Sequence, residues 1–130
     1  YDKNPEQVND LIANNASYVF FREYNGGNWP AGSLGVPVTA ERSIATDKKI
    51  FPRGGVVLVD TTVRSLTGEK QTFTQFMTDQ DTGGAIRAPG RADLFMGVGP
   101  TAGIKAGGQY AEGQLYYLFL KPNSIAIVQE

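Results

Sequence analysis

The sequence contains no cysteine and no histidine. Without thiols or imidazoles, Cys–His and Ser–His–Asp nucleophilic machinery, thiol redox chemistry and the common zinc sites are excluded. No apolar run approaches the roughly 18 residues that a membrane span requires. An excess of one charge is lacking too: 12 basic and 13 acidic residues leave a net charge of -1. That balance removes the usual electrostatic argument for a nucleic-acid or anionic-membrane partner. The missing cysteines do not locate the protein, because a thiol-free chain is compatible with either side of a membrane. The chain opens at Tyr1 without Met or a signal-like stretch, which reads as the processed or cut end of something longer.

What is present describes one domain over residues 1–130. Hydrophobic residues make up 41% and charged residues 19% of the 130. A chain of this size buries roughly two-thirds of its unfolded surface and needs no disulfide or metal staple. Sixteen Gly and seven Pro predict a turn-dense fold. With His and Cys absent, acid/base chemistry falls to seven Asp and six Glu.

Residues 4–15 predict a helix, with Asn4 as N-cap, Pro5 in the first helical position and Gln7 as capping-box partner. Val8, Leu11 and Ile12 give it one apolar stripe. Residues 18–22, 34–38, 56–63, 72–77, 115–120 and 125–128 predict short strands, with a turn at 66–69 and a short helix over 102–108. The fold class is therefore mainly β. Irregular Gly-rich connections favour a small closed barrel over a sandwich. Residues 1–33 form a lead-in of helix, strand and loop, ahead of the strand-rich part at 34–130.

Three aspartates, Asp47, Asp81 and Asp93, stand where a strand-like stretch meets a turn. Ordinary turn chemistry explains any one of them alone. Their company suggests more: Gly83-Gly84 and Gly97 with Gly99 let backbone approach a ligand closely, and Leu94, Phe95 and Met96 offer Asp93 an apolar setting that favours a protonated carboxyl. Tyr116, Tyr117, Phe119 and the aromatic residues of 18–21 read as core and outer face of the barrel. Trp29, in a Gly/Pro-rich loop, is a candidate for sugar stacking, and Lys48-Lys49 reads as a solvated turn.

Four strings in order carry a family resemblance: Ser43-Ile-Ala-Thr-Asp47, Phe51-Pro-Arg-Gly54 before an apolar strand, Gln80-Asp-Thr-Gly-Gly-Ala-Ile-Arg87, and Asp93-Leu-Phe-Met-Gly-Val-Gly99. Together they closely resemble the three-aspartate domain of the MltA family of lytic murein transglycosylases, and nearly the whole chain is covered. The resemblance implies a six-stranded double-psi β-barrel. It also implies non-hydrolytic cleavage of the β-1,4 bond between N-acetylmuramic acid and N-acetylglucosamine, leaving a 1,6-anhydro end, with no cofactor and no metal. Asp93 stands where the family has its catalytic acid/base. Asp81 occupies a position of electrostatic support and Asp47 one that shapes the site. Gly83, Gly84 and Arg87 fall in the substrate-binding segment, Arg87 where many members carry Lys.

One carboxyl group suffices for this chemistry. The muramic acid's own C6 hydroxyl attacks C1 and replaces the second carboxylate of ordinary glycosidases. Asp93 would protonate the leaving oxygen and then take the hydroxyl proton, while an ionised Asp81 would help keep Asp93 protonated beforehand. The expected partner is the peptidoglycan glycan strand, in the bacterial periplasm. Outer-membrane association would run through a segment absent from this chain. Full MltA-like proteins are larger, so the chain corresponds to their C-terminal part, and the missing N-terminal part is an expected partner.

Two other readings stay open. Double-psi barrels also serve as non-catalytic peptidoglycan-binding modules. Asp81-Thr82-Gly83 is the tripeptide of aspartic proteases, which would act as a dimer, although Asp79 and Gln80 stand where that motif has apolar residues.

Overall fold

Helix α1 (Pro5–Ala13) begins where the capping residues place it: the Asn4 side chain accepts from the Gln7 N–H at 3.4 Å and donates to the Gln7 side chain at 3.2 Å. It ends at Asn14, whose side chain bonds the Asp10 carbonyl at 2.9 Å. No residue of α1 is buried, and the stripe residues Leu11 and Ile12 lie exposed. This computed structural model describes residues 3–16, 20, 23, 27 and 29–122. The expected strand at 125–128 lies outside the described residues, as does that at 18–22 apart from the exposed Phe20.

Five strands follow: β1 (Ser43–Ala45), β2 (Val56–Arg64), β3 (Lys70–Asp81), β4 (Asp93–Leu94) and, after helix α2 (Pro100–Gly107), β5 (Gln114–Leu118). They form one mixed sheet in the order β4-β1-β3-β2-β5. β1 runs parallel to β3, and the other pairs are antiparallel. The class is mainly β, as expected, and β4 and β5 end the sheet without pairing to each other. Residues 34–38 differ from expectation. Pro37 has no N–H to give a ladder, and the stretch makes a single bridge, Ala31 to Pro37, within a run of turns.

β2 and β3 are a long hairpin in register from Val56–Thr78 to Arg64–Lys70. Its turn closes through Gly68, whose positive φ of 87 lets its N–H reach the Ser65 carbonyl at 3.0 Å. Alternation sends Val57, Val59, Phe73 and Met77 to one face, where they meet Ile44 in the buried core. Leu94, Leu115 and Tyr117 pack around that cluster. Helix α2 forms despite its glycines because Pro100 opens it, Ala102 is buried and Lys105 pairs with Glu41 at 2.8 Å.

Candidate functional site

Ala45 is the pivot of the site. It pairs with Asp81 of β3 on one side and Asp93 of β4 on the other. Neighbouring strands lie about 4.8 Å apart, so the two aspartate backbones stand about 10 Å apart across one small buried residue. Both line a cavity of ≈ 310 Å3 together with Ser43, Thr82, Gly83 and Ile86. The β1–β3 register shifts between Ile44 and Ala45, so Asp79 and Asp81 oppose consecutive residues of β1. Such a bulge re-aims side chains, here at the strand end that carries Asp81.

The Asp81 carboxylate is fixed by the Ser33 N–H, which donates to Oδ1 at 2.9 Å. This needs glycine next door, since a Cβ on Gly32 would lie 2.6 Å from the Gln80 carbonyl oxygen. Asp93 meets a different setting from the apolar one expected. Met96 is buried, but Asp93 sits on the edge strand with its side chain 46% exposed. There it accepts two bonds from Arg91, Nε to Oδ1 at 2.9 Å and a terminal nitrogen to Oδ2 at 3.1 Å. The Arg91 guanidinium is in turn held further in its charged form by that carboxylate. Asp93 also lines a second cavity of ≈ 640 Å3, shared with Thr61, Arg91, Gln109 and Tyr110.

Asp47 is a brace between two loops. Its Oδ1 accepts from the Lys49 N–H and its Oδ2 from the Ala88 N–H, each at 3.0 Å. Its carbonyl takes the N–H groups of Ile50 and Phe51. The Lys49 N–H pulls the Asp47 pKa below the ordinary 3.8; burial opposes this, and the Ala88 N–H with the charges of Arg87 and Lys49 adds to it. Ala88 holds a left-handed φ of 67, so the 84–91 loop is tied at a backbone position that disfavours a side chain. Gly83 lines the smaller cavity, while Arg87 turns back on its own loop, donating from Nε to the Gly84 carbonyl at 2.8 Å. The structure therefore joins Asp81, Asp93 and Gly83 at one cavity, while Asp47, Gly84 and Arg87 do not line it: Asp47 lies in the 46–51 turn and braces the 84–91 loop that carries Gly84 and Arg87. Trp29 is exposed, as are Tyr116 and Phe119, whereas Tyr117 stacks on Phe51 at 5.0 Å between ring centroids.

The expected solvated turn at Lys48-Lys49 is corrected at Lys48. Its side chain is only 7% exposed and forms an ion pair with Asp79, which is fully buried. Thr46 and the Tyr117 hydroxyl each donate to Asp79 Oδ2 at 2.6 Å, and Lys48 also reaches Thr46 at 3.0 Å. Burial, then the bond to Asp79, raises the Tyr117 phenol above its usual range. This network ties β5 and the 46–51 turn to β3 two residues before Asp81. Asp79, two residues before Asp81 and on the inward face of β3, was the available signal. Among the described residues, no cluster of three or more His, Cys, Asp or Glu could hold a metal ion.

The family model of the 3D domain matches residues 42–119, more than half of the 130. The chain belongs to the 3D domain family. The match takes in Asp47, Asp81 and Asp93 and all five strands. Relatives of this 3D domain include the membrane-bound lytic murein transglycosylase A of Escherichia coli (strain K12), 30% identical over 120 residues, which are 91% of this chain and 32% of that protein. Among solved structures, the lytic transglycosylase LtgG of Burkholderia pseudomallei is 40% identical with a TM-score of 0.66, covering 91% of this chain and 35% of LtgG. E. coli MltA with bound chitohexaose superposes with a TM-score of 0.75 at 28% identity, covering 91% of this chain and 36% of that one. The fold of this 3D domain is MltA-like, and the chain spans about a third of the relatives it matches.

Proposed function

We propose that this chain is the C-terminal, three-aspartate part of a peptidoglycan lytic transglycosylase. The observation that carries the reading is the placement of Asp81 and Asp93 on either side of Ala45 at one cavity, within a 3D domain. Its supports are relatives named as lytic murein transglycosylases, one of them solved with an oligosaccharide bound. In the proposed reaction Asp93 protonates the oxygen leaving C1 of N-acetylmuramic acid. The C6 hydroxyl then attacks C1, its proton passes to the Asp93 carboxylate, and a 1,6-anhydro end forms. Asp81, fixed by Ser33, supplies negative charge near the developing positive charge on the sugar ring. Asp47 shapes the loop that presents Gly83, Gly84 and Arg87 to the glycan.

The same reading includes a six-stranded double-psi barrel completed by strands beyond the five described, and an N-terminal part that supplies the other wall of the groove. It places the protein in the bacterial periplasm, membrane-associated through a segment outside this chain, in keeping with the "membrane-bound" name of its relatives. Among the described residues no helix is long and apolar enough to cross a membrane.

Digestion of purified sacculi followed by product mass spectrometry tests the proposal, with anhydromuropeptides expected. Asp93→Asn is expected to abolish their release while leaving the unfolding transition nearly unchanged, because a half-exposed ion pair contributes about 1 kcal/mol or less. Retained release by the variant would overturn the assignment of Asp93. Reducing ends would mean hydrolysis, and binding without cleavage would favour the glycan-binding module.

A further inference from the structure

Arg91 lines the ≈ 640 Å3 cavity, and Asp93 is shared between that cavity and the one it lines with Asp81. The guanidinium occupies both oxygens of Asp93, at 2.9 and 3.1 Å, and its other terminal nitrogen donates to the Ala85 carbonyl at 3.2 Å. With both oxygens engaged by the guanidinium, the group that would deliver the proton is occupied. As it stands, the pair blocks the acid role. It is also open to competition, since the side chains of Arg91 and Asp93 are 51% and 46% exposed, and solvent-exposed pairs are weakly held.

We propose that Arg91 is a displaceable latch. It holds Asp93 in the unliganded protein and passes to a carboxylate carried by the muramic acid unit of a bound glycan, which frees Asp93 to take up a proton from solvent and then deliver it to the leaving oxygen. The inference rests on the transglycosylase reading above. A planar guanidinium donates to either carboxylate with the same two-pronged geometry, and a pair covered by bound glycan is stronger than the half-exposed pair it replaces. Thr61, Gln109 and the fully exposed Tyr110 line the cavity beside it and offer polar and ring contacts to the sugar that carries the anion. Latching would make proton transfer conditional on an acidic glycan, so a carboxylate-free oligosaccharide would bind without releasing Asp93. Arg91 is in this scheme a positioning residue that also selects the substrate. Two sources present the required carboxylate: the free lactyl group of a peptide-free strand, or the stem peptide.

The test uses the full chain with three probes of matched length: peptide-free glycan strands with free lactyl carboxylates, peptide-bearing strands, and chitohexaose, which has no carboxylate. Binding is measured by calorimetry and the Arg91 Nε–H resonance by NMR. Wild type is expected to bind an acidic strand about tenfold more tightly than chitohexaose, with the Nε–H resonance moving only for the acidic strand. Whichever acidic strand does so identifies the source. Arg91→Gln is expected to lose that tenfold preference, and Arg91→Lys, which keeps the charge but not the fork, to recover part of it. Equal binding of all three probes by wild type, an Arg91→Gln protein that keeps the preference, or an unmoved Nε–H resonance would overturn the latch while leaving the transglycosylase reading standing. Failure of the wild-type protein, assayed with its N-terminal part present to complete the groove, to bind any of the three would overturn that reading, and the latch with it.

Discussion

At the scale of single residues, the buried pair of Lys48 with Asp79, two residues before Asp81, is costlier to break than the half-exposed pair at Asp93. Asp79 is completely buried with Lys48, Thr46 and Tyr117 as its partners, and each partner comes from a different stretch of chain than Asp79 itself. Removing one member of such a pair leaves the other charge without compensation in a dry environment, at a cost of about 3–5 kcal/mol. Asp79→Ala is therefore expected to lower stability by that amount, read as a fall in the urea midpoint. The double variant Asp79→Leu with Lys48→Met is expected to recover only the part owed to the stranded ammonium, because it leaves the Thr46 and Tyr117 hydroxyls without their acceptor. Asp47 makes the opposite kind of contribution, small and dependent on pH. Its folded pKa is depressed by the Lys49 and Ala88 N–H groups, so the stabilisation is fully present above the ordinary value of 3.8 and is lost as pH falls through the lower folded value. Hydrogen exchange at the Ala88 N–H, taken relative to its intrinsic pH-dependent rate, is expected to accelerate in that acid range. Asp47→Asn, which leaves one of the two N–H groups without an acceptor, is expected to show the faster exchange already at neutral pH.

At the scale of elements, β3 carries both the core and an exposed face, and adjacent residues report the difference. Met77 is 2% exposed and Phe76 is 55% exposed. Met77→Ala is expected to cost about 2–5 kcal/mol through lost burial and a cavity, whereas Phe76→Ala is expected to cost about 1 kcal/mol or less. Comparing the two by chemical denaturation checks the orientation of the strand. Strands β2, β3 and β5 were legible in the sequence because each is long enough to show a β pattern and is bounded by Gly or polar turns. β1 and β4 were not legible. Three residues, Ser43–Ala45, and two residues, Asp93–Leu94, have no periodicity to read, and they are strands only because β3 and the Ile44–Ala45 backbone offer them pairing partners. The site divides in the same way. Asp47, Asp81 and Asp93 could be singled out from their Gly-rich surroundings, and the family motifs gave their order. The Arg91 clamp on Asp93 and the burial of Lys48 depend on contacts that no local pattern encodes. In isolation a Lys-Lys pair reads as solvent-facing, and here Asp79 and Thr46 make the inward position of Lys48 tolerable.

At the scale of the whole molecule, the two faces of the sheet are unequally covered. Val57, Val59, Met77 and Tyr117 face the core, while on the opposite face Val56 pairs with Leu118 and Leu58 pairs with both Tyr116 and Phe76. Val56, Phe76, Tyr116 and Leu118 are 45%, 55%, 49% and 54% exposed, and the cross-strand register makes them one contiguous apolar patch. Patches of this kind on a folded chain are interaction or aggregation surfaces rather than ordinary solvent-facing sheet. The expected consequence is that the folded chain binds an environment-sensitive apolar dye such as ANS under native conditions. Phe76→Lys with Leu118→Lys is expected to remove most of that signal and to leave the unfolding midpoint within about 1 kcal/mol of wild type, because neither side chain belongs to the buried core. Dye binding that survives both substitutions would mean that the apolar surface lies elsewhere. A large drop in stability would mean that these residues are packed against the rest of the chain.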